Sequence, residues 1–194
     1  MKTIDYYNNF ADDFAEATLH VDMASLYQPF LTELPKTARI LDVGCGSGRD
    51  TLAFKNKGYE VDAIDYSEEL VKRATQLTGV HVKFKSFYEV NELEVYDGIW
   101  ACASLLHCER DRLAEVIGQL ITALKPNGVL YMSFKYGDSD REKDGRAFTD
   151  LDVAQAKALL QLFEDVEQIQ QWITVDKRPD RDEKWLNILW KKHA

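Results

Sequence analysis

Cysteine, proline and long apolar runs are all scarce in this sequence. Its 194 residues include 4 prolines and 3 cysteines, and Cys45, Cys102 and Cys108 are too few and too unevenly spaced for a disulfide framework. A reducing, cytoplasmic compartment is therefore expected. No apolar run approaches the roughly 18 residues of a membrane span. The opening stretch, MKTIDYYNNFADDFAEA, also lacks the apolar region of a secretory signal, so no membrane association is predicted.

Acidic residues outnumber basic ones. The chain has 24 Lys and Arg against 33 Asp and Glu, a net charge of −9. An acidic chain gains nothing from neutralising phosphates, so a nucleic-acid partner is not expected. The 45% of hydrophobic and 29% of charged residues are ordinary for a folded globular protein. The length fits one domain.

Short β-rich runs alternate with helical patterns along most of the chain. Strands are predicted over residues 38–43, 60–65, 80–85, 96–101, 129–134, 166–175 and 185–190. Helices are predicted within residues 1–34 and over 49–58, 67–77, 110–124 and 151–163. Such alternation requires parallel strands with helices on both faces, whereas the last two strands have only a short loop between them and must pair as an antiparallel hairpin.

The predicted fold is therefore α/β: a doubly wound, mostly parallel seven-stranded sheet with an antiparallel C-terminal hairpin. We expect one domain over residues 1–194, with a helical cap at 1–34 and a cofactor-binding core at 38–134. Residues 135–194 would form the acceptor side, in which the polar stretch 135–150 is predicted to be a mobile surface loop.

One segment predicts a bound nucleoside. In Ile40-Leu-Asp-Val-Gly-Cys-Gly-Ser-Gly-Arg-Asp50 a strand runs into three glycines and then a helix, a loop whose exposed N–H groups suit an anionic group. Asp65 ends the next strand, where a carboxylate can accept hydrogen bonds from both hydroxyls of a ribose. In the dinucleotide pattern G-x-G-x-x-G the last glycine would fall at Arg49, but here it is Gly48. Asp42 would also repel a pyrophosphate, so a cationic ligand such as S-adenosylmethionine (SAM) fits better.

With its other motifs, the sequence resembles the class I SAM-dependent methyltransferases. The matching pieces are Leu41-Asp-Val-Gly-Cys-Gly-Ser-Gly48, Asp65 within Asp-Ala-Ile-Asp-Tyr-Ser, Tyr-Asp-Gly-Ile-Trp-Ala101 and Leu124-Lys-Pro-Asn-Gly-Val-Leu130. They cover roughly residues 38–134 and occur in the family's order. Within the family the chain is most similar to small single-domain enzymes of the tellurite-resistance and ubiquinone-biosynthesis type.

The resemblance implies a set of cofactor contacts. Asp42 would lie near the amine of SAM, Asp65 at its ribose and Tyr66 beside its adenine. The remaining implied cofactor-binding residues are Tyr6, Tyr7, Gly44, Cys45, Gly46, Gly48, Ser86, Phe87, Ala101 and Ser104. Serine at position 86 departs from the aspartate that the family often has there.

Methyl transfer from a sulfonium is an in-line displacement, for which the protein mainly positions the reactants and excludes water. His107 is the candidate catalytic base. Candidate acceptor-binding residues are Tyr136, Arg146, Arg178 and Arg181. The loop after the fourth strand lacks the motifs of nucleic-acid methyltransferases, so a small-molecule acceptor is predicted, with no metal.

Two other functions stay open at this stage: an NAD-type oxidoreductase, and a methyltransferase-like domain that binds SAM without catalysis. Either a monomer or a homodimer is compatible with the sequence.

Overall fold

The structure is a computed structural model that describes residues 2–179 and 181–194. The helices are α1 (Thr3–Asn9), α2 (Ala11–Thr18), α3 (Ala24–Thr32), α4 (Arg49–Asn56), α5 (Glu68–Thr78), α6 (Leu113–Ala123) and α7 (Val153–Leu160). The strands are β1 (Arg39–Val43), β2 (Glu60–Asp65), β3 (Lys83–Phe84), β4 (Tyr96–Ala101), β5 (Leu124–Lys135), β6 (Asp140–Lys143), β7 (Arg146–Thr149), β8 (Val166–Val175) and β9 (Lys184–Lys192).

Seven strands form one sheet in the order β3-β2-β1-β4-β5-β9-β8. The first five strands in this order are parallel, and β9 is antiparallel to both β5 and β8. This confirms the predicted mostly parallel sheet with an antiparallel C-terminal hairpin. The strand order reverses between β1 and β4, which is where open α/β sheets bind their ligands, beyond the carboxyl ends of the strands.

The sheet is covered on both faces because neighbouring residues of a strand point to opposite sides. Ile40 and Trp100 pack with Phe30 of α3 and with α4 on one face. Leu41 and Ile99 pack with α6 and α7 on the other face. Apolar side chains on both faces explain why the central strands are near-continuous hydrophobic runs in the sequence.

The segment 135–150 is not the loop that its polarity predicts, and this expectation was wrong. Residues 140–149 form a two-stranded antiparallel hairpin, β6–β7, outside the main sheet. Asp144 and Gly145 make its turn, with φ angles of 52° and 75°, as in the two-residue turns that match the twist of β-hairpins. Arg141 Nε also donates to Asp150 Oδ2 at 2.6 Å, which ties the hairpin to the chain that follows it.

Two strand boundaries also differ from the prediction. β3 has only two residues, both exposed at the edge of the sheet, whereas a strand over 80–85 was expected. β5 starts at Leu124 and includes the expected turn, and its pairing with β4 is irregular between Tyr96 and Gly98. Asn127, within this irregular stretch of β5, has a left-handed backbone conformation with a φ of 66°.

Among the described residues, no helix has both the length and the apolar character that crossing a membrane requires.

Candidate functional site

A cavity of about 780 Å³ lies at the carboxyl ends of the parallel strands. This volume falls within the range of roughly 300–1,000 Å³ typical of small-molecule sites. The glycine loop after β1 and the end of β2 form one wall, α1 and α2 cover it, and the β6–β7 hairpin and the β8–β9 connection complete it. Within residues 2–179 and 181–194, no group of three or more His, Cys, Asp or Glu side chains is arranged to hold a metal ion.

The glycine loop is fixed to its neighbours through backbone hydrogen bonds. The N–H groups of Gly44 and Cys45 both donate to the carbonyl of Ile64, at 2.9 and 3.0 Å. Gly44 has a φ of 71°, and a Cβ there would lie 2.5 Å from Cβ of Ser104. The loop can therefore pass this close to the chain after β4 only with glycine at position 44.

Asp65 joins the glycine loop to the end of β2. Its Oδ2 accepts from the N–H of Gly46 at 2.8 Å, and its Oδ1 accepts from the N–H of Ser67 at 2.9 Å. Burial raises the pKa of Asp65, against the lowering effect of these amide hydrogen bonds. Each carboxylate oxygen can accept a further hydrogen bond, so a ligand hydroxyl in the cavity has acceptors available.

Four donors converge on Asp50, the second residue of α4, on the cavity wall. Arg49 donates twice, at 2.7 and 3.0 Å, the hydroxyl of Tyr27 donates at 2.5 Å and Nε1 of Trp100 at 2.8 Å. Burial opposes ionisation of Asp50, but the charge and hydrogen bonds of Arg49 outweigh it and lower its pKa. Arg49 also donates to the carbonyl of Thr18, which draws α2 towards the loop.

Four of the predicted contact residues do not line the cavity. Asp42 is 2% exposed and accepts a 2.6 Å hydrogen bond from Thr51. Burial and the neighbouring charge of Asp50 raise the pKa of Asp42. Its carboxyl group contacts Thr51 in the interior and not the cavity. Gly48 is the N-cap of α4 and packs on α5, Ala101 is fully buried in the sheet, and Tyr136 is 41% exposed outside the cavity.

The other predicted residues do meet at the cavity. Those predicted to contact the cofactor are Tyr6, Tyr7, Gly44, Cys45, Gly46, Asp65, Tyr66, Ser86, Phe87 and Ser104. Those predicted to act on the acceptor are His107, Arg146, Arg178 and Arg181. Arg178 is already engaged, because it donates to both carboxylate oxygens of Asp176 at 2.9 and 2.5 Å.

His107 is held in one tautomer. Its Nδ1 lies 2.7 Å from the carbonyl oxygen of Ala147, and its Nε2 lies 2.8 Å from the hydroxyl of Tyr7. Because a carbonyl can only accept, Nδ1 carries the proton and Nε2 accepts from the tyrosine. Burial, with the positive charges of Arg146 and Lys135, lowers the pKa of His107 to about 4. The ring is therefore neutral at physiological pH.

The N-terminal helices bridge the two sides of the cavity. On the hairpin side, Thr3 accepts a 3.0 Å hydrogen bond from the N–H of Ala147. On the cofactor side, the hydroxyl of Ser67 donates to Asn8 at 2.7 Å. A ligand bound under α1 would therefore contact both halves of the site through the same helix.

Two features of the cavity were not found from sequence. Arg49 lines the cavity, and its position directly after the glycine loop was the available signal. Phe14 lies over the loop, with its ring 3.0 Å from where a Cβ on Gly46 would be. That contact joins residues far apart in the sequence, and no local pattern indicates it.

Comparison with known proteins identifies the family. Residues 15–174 match a family described as a methyltransferase domain. A methyltransferase of Staphylococcus carnosus is 29% identical over 119 residues, which are 60% of this chain and 58% of that protein. A ubiquinone biosynthesis O-methyltransferase of Xanthomonas campestris is 36% identical over 104 residues, 50% of this chain and 42% of that protein. The chain thus spans about half the length of these curated relatives.

Solved structures share the fold. The 1,6-didemethyltoxoflavin-N1-methyltransferase of Burkholderia thailandensis, solved with bound 1,6-didemethyltoxoflavin and S-adenosylhomocysteine, has a TM-score of 0.80 at 21% identity over 98% of this chain and 85% of that one. The magnesium protoporphyrin IX methyltransferase of Synechocystis, solved with SAM, has a TM-score of 0.75 at 16% identity over 97% of this chain and 94% of that one. With the family match over most of its length, the chain belongs to the class I SAM-dependent methyltransferases.

Proposed function

We propose that this chain transfers the methyl group of SAM to a small-molecule acceptor. The observation that carries the proposal is the junction of the glycine loop with Asp65 on one wall of a 780 Å³ cavity. That junction offers backbone amides and a carboxylate side by side, which suits a ligand with an amino-acid tail and a ribose.

The residues present fit such a cofactor. The hydroxyl of Ser104 is buried at the cavity and has no hydrogen-bond partner among the described residues. Asp65 would hold the ribose, and the loop from Gly44 to Gly46 would lie along the amino-acid tail. Arg49 has N–H groups beyond those given to Asp50 and Thr18, so we assign it to the cofactor carboxylate.

SAM supplies an electrophilic methyl group, so the protein needs to orient the acceptor and keep water away. The aromatic rings of Tyr6, Tyr7 and Phe14 line the cavity on the α1–α2 side, where they would keep water from the reacting atoms. Any acceptor that attacks through an O–H or N–H group must also lose a proton.

The contact between Tyr7 and His107 gives this proton a route. The hydroxyl of Tyr7 donates to Nε2 of His107, and the guanidinium of Arg146 lies beside it. The tyrosine oxygen has two lone pairs, so one remains to accept a proton from the acceptor. As the new bond to methyl forms, the acceptor proton becomes acidic and passes to Tyr7, while the proton of Tyr7 passes to Nε2. The carbonyl of Ala147 accepts from Nδ1 and so stabilises the imidazolium that results.

Tyr7→Phe and His107→Gln should each lower kcat by about 100-fold with little change in SAM affinity, in line with typical acid–base contributions. The glutamine carbonyl can still accept from Tyr7 but cannot take a proton, which separates proton transfer from mere positioning.

Because the folded His107 has a pKa of about 4 against an ordinary 6.5, stability falls as the pH is lowered from 6.5 towards 4. His107→Gln should flatten that fall in Tm.

The exposed His81 gives the control, since His81→Gln should leave kcat unchanged. Wild-type kcat in His107→Gln would show that no proton reaches the imidazole and would contradict this role.

Turnover tests the proposed function. The protein is incubated with SAM and a panel of phenols, carboxylic acids, amines and N-heterocycles, and release of S-adenosylhomocysteine is measured. We expect release above the acceptor-free rate with at least one class. SAM binding without turnover on any class would favour the non-catalytic alternative, and NAD binding in place of SAM would favour the oxidoreductase.

A further inference from the structure

We propose that the methyl acceptor is a small aromatic molecule with a carboxylate group, and that Arg146 binds this carboxylate. The inference rests on the proposed function and names the substrate class of the same cavity.

The acceptor side of the cavity is positively charged in a protein whose net charge is −9. The basic side chains that line it are Lys135, Lys143, Arg146, Lys177, Arg178 and Arg181. Among the described residues of the β6–β7 hairpin and the β8–β9 connection, Asp176 is the acidic residue that lines the cavity. Glu183 does not line it but accepts from Lys135. Such a local excess of positive charge attracts an anion and repels a cationic acceptor.

Most of these basic groups are already paired. Lys135 donates to both oxygens of Glu183 at 2.9 and 3.0 Å, and Arg178 is bound to Asp176. Arg181 lies 4.0 Å from Glu183. These ion pairs offset part of the positive charge and already engage donors of Lys135 and Arg178.

Arg146 differs from them. Its side chain is 17% exposed, and its ion pair with the exposed Asp144 is a long one of 3.4 Å. Its guanidinium also lies beside the hydroxyl of Tyr7, whose pKa burial raises and the charge and hydrogen bond of Arg146 partly lower. Its Nε is buried and has no hydrogen-bond partner among the residues that the structure describes. A buried donor without a partner costs free energy, which a bound acceptor oxygen would recover.

The guanidinium of Arg146 is held in place by aromatic rings. Its central carbon lies 4.0 Å from the ring centre of Tyr6 and 5.3 Å from that of Phe148. The rings fix the plane of the group, so the edge that carries Nε is preorganised. That edge presents two parallel N–H donors, which match the two oxygens of a carboxylate.

The walls next to Arg146 favour an aromatic body for the acceptor. Tyr6, Tyr7, Phe148 and Trp185 all line this part of the cavity. Flat apolar surfaces of this kind stack on planar rings, while a single charged group sets the orientation. A ring anchored at Arg146 also lies beside the hydroxyl of Tyr7, where the acceptor's O–H or N–H group would lose its proton.

A pair of matched probes tests the inference. The protein is first saturated with S-adenosylhomocysteine and then titrated by calorimetry with 4-hydroxybenzoate and with its neutral isostere 4-hydroxybenzamide. We expect the benzoate to bind at least 10-fold more tightly. In Arg146→Gln this preference should vanish through weaker benzoate binding, and Arg146→Lys, which keeps the charge but not the paired donors, should fall between.

Arg112→Gln is the matched control, because Arg112 does not line the cavity and its half-buried side chain pairs with Glu115 and lies against the ring of Tyr88. It should keep the full preference, and thermal melting of each variant shows that it is folded. Equal binding of the two probes, no binding of either, or a preference that survives in Arg146→Gln would overturn the inference. Failure of S-adenosylhomocysteine to bind in the first step would instead overturn the proposed function.

Discussion

Replacement of Asp50 by alanine is expected to lower the free energy of unfolding by about 3–5 kcal/mol, the usual cost of leaving a buried charge without its partner. The change removes the acceptor of four hydrogen bonds at once. Arg49 would keep a largely buried positive charge, and the donors of Tyr27 and Trp100 would be left unsatisfied in the core. Urea denaturation measures the loss.

Asp140→Ala is the matched control, because Asp140 forms an exposed ion pair with Arg110. It should cost less than about 1 kcal/mol. The double variant Arg49→Met/Asp50→Leu removes both charges and should recover part of the loss. Equal losses of unfolding free energy in Asp50→Ala and Asp140→Ala would show that the buried hydrogen bonds of Asp50 stabilise the fold no more than an exposed ion pair does.

Replacement of Asp65 by alanine should weaken SAM binding by at least about 100-fold, since two hydrogen bonds to a carboxylate are lost at roughly 1.5–3 kcal/mol each. The change also frees the N–H of Gly46 from its acceptor and so loosens the loop that would hold the amino-acid tail. Calorimetric titration with SAM measures the effect. Asp65→Asn keeps one carbonyl acceptor and should lose less affinity.

Asp62→Ala provides the comparison on the same strand. Asp62 pairs with Arg39 at 2.8 Å and does not line the cavity. Its removal should leave the Kd for SAM unchanged. If Asp65→Ala binds SAM as tightly as Asp62→Ala does, the sugar does not bind at the end of β2.

The sheet could be predicted because its signals are local. The central strands are apolar on both faces and are bounded by glycines and turns, which fixes their extent within a few residues. The β6–β7 hairpin was missed because it has few apolar residues, so its strands give no periodic pattern. Its Asp144-Gly145 turn was the available sign.

The residues of the site also differ in how far local sequence predicts them. The glycine loop and Asp65 lie at strand ends and could be predicted from the order of elements. Asp42 does not line the cavity, because sequence spacing gives its position along β1 but not the contacts of its side chain, which here accepts from Thr51. The contact of Tyr7 with His107 spans 100 residues and depends on tertiary packing alone.

A crystal structure of the chain with S-adenosylhomocysteine tests the central claim most directly. We expect the ribose hydroxyls within hydrogen-bond distance of Asp65 and the amino-acid tail along the turn from Gly44 to Gly46. A nucleoside bound elsewhere, or a ribose that makes no contact with Asp65, would contradict the account.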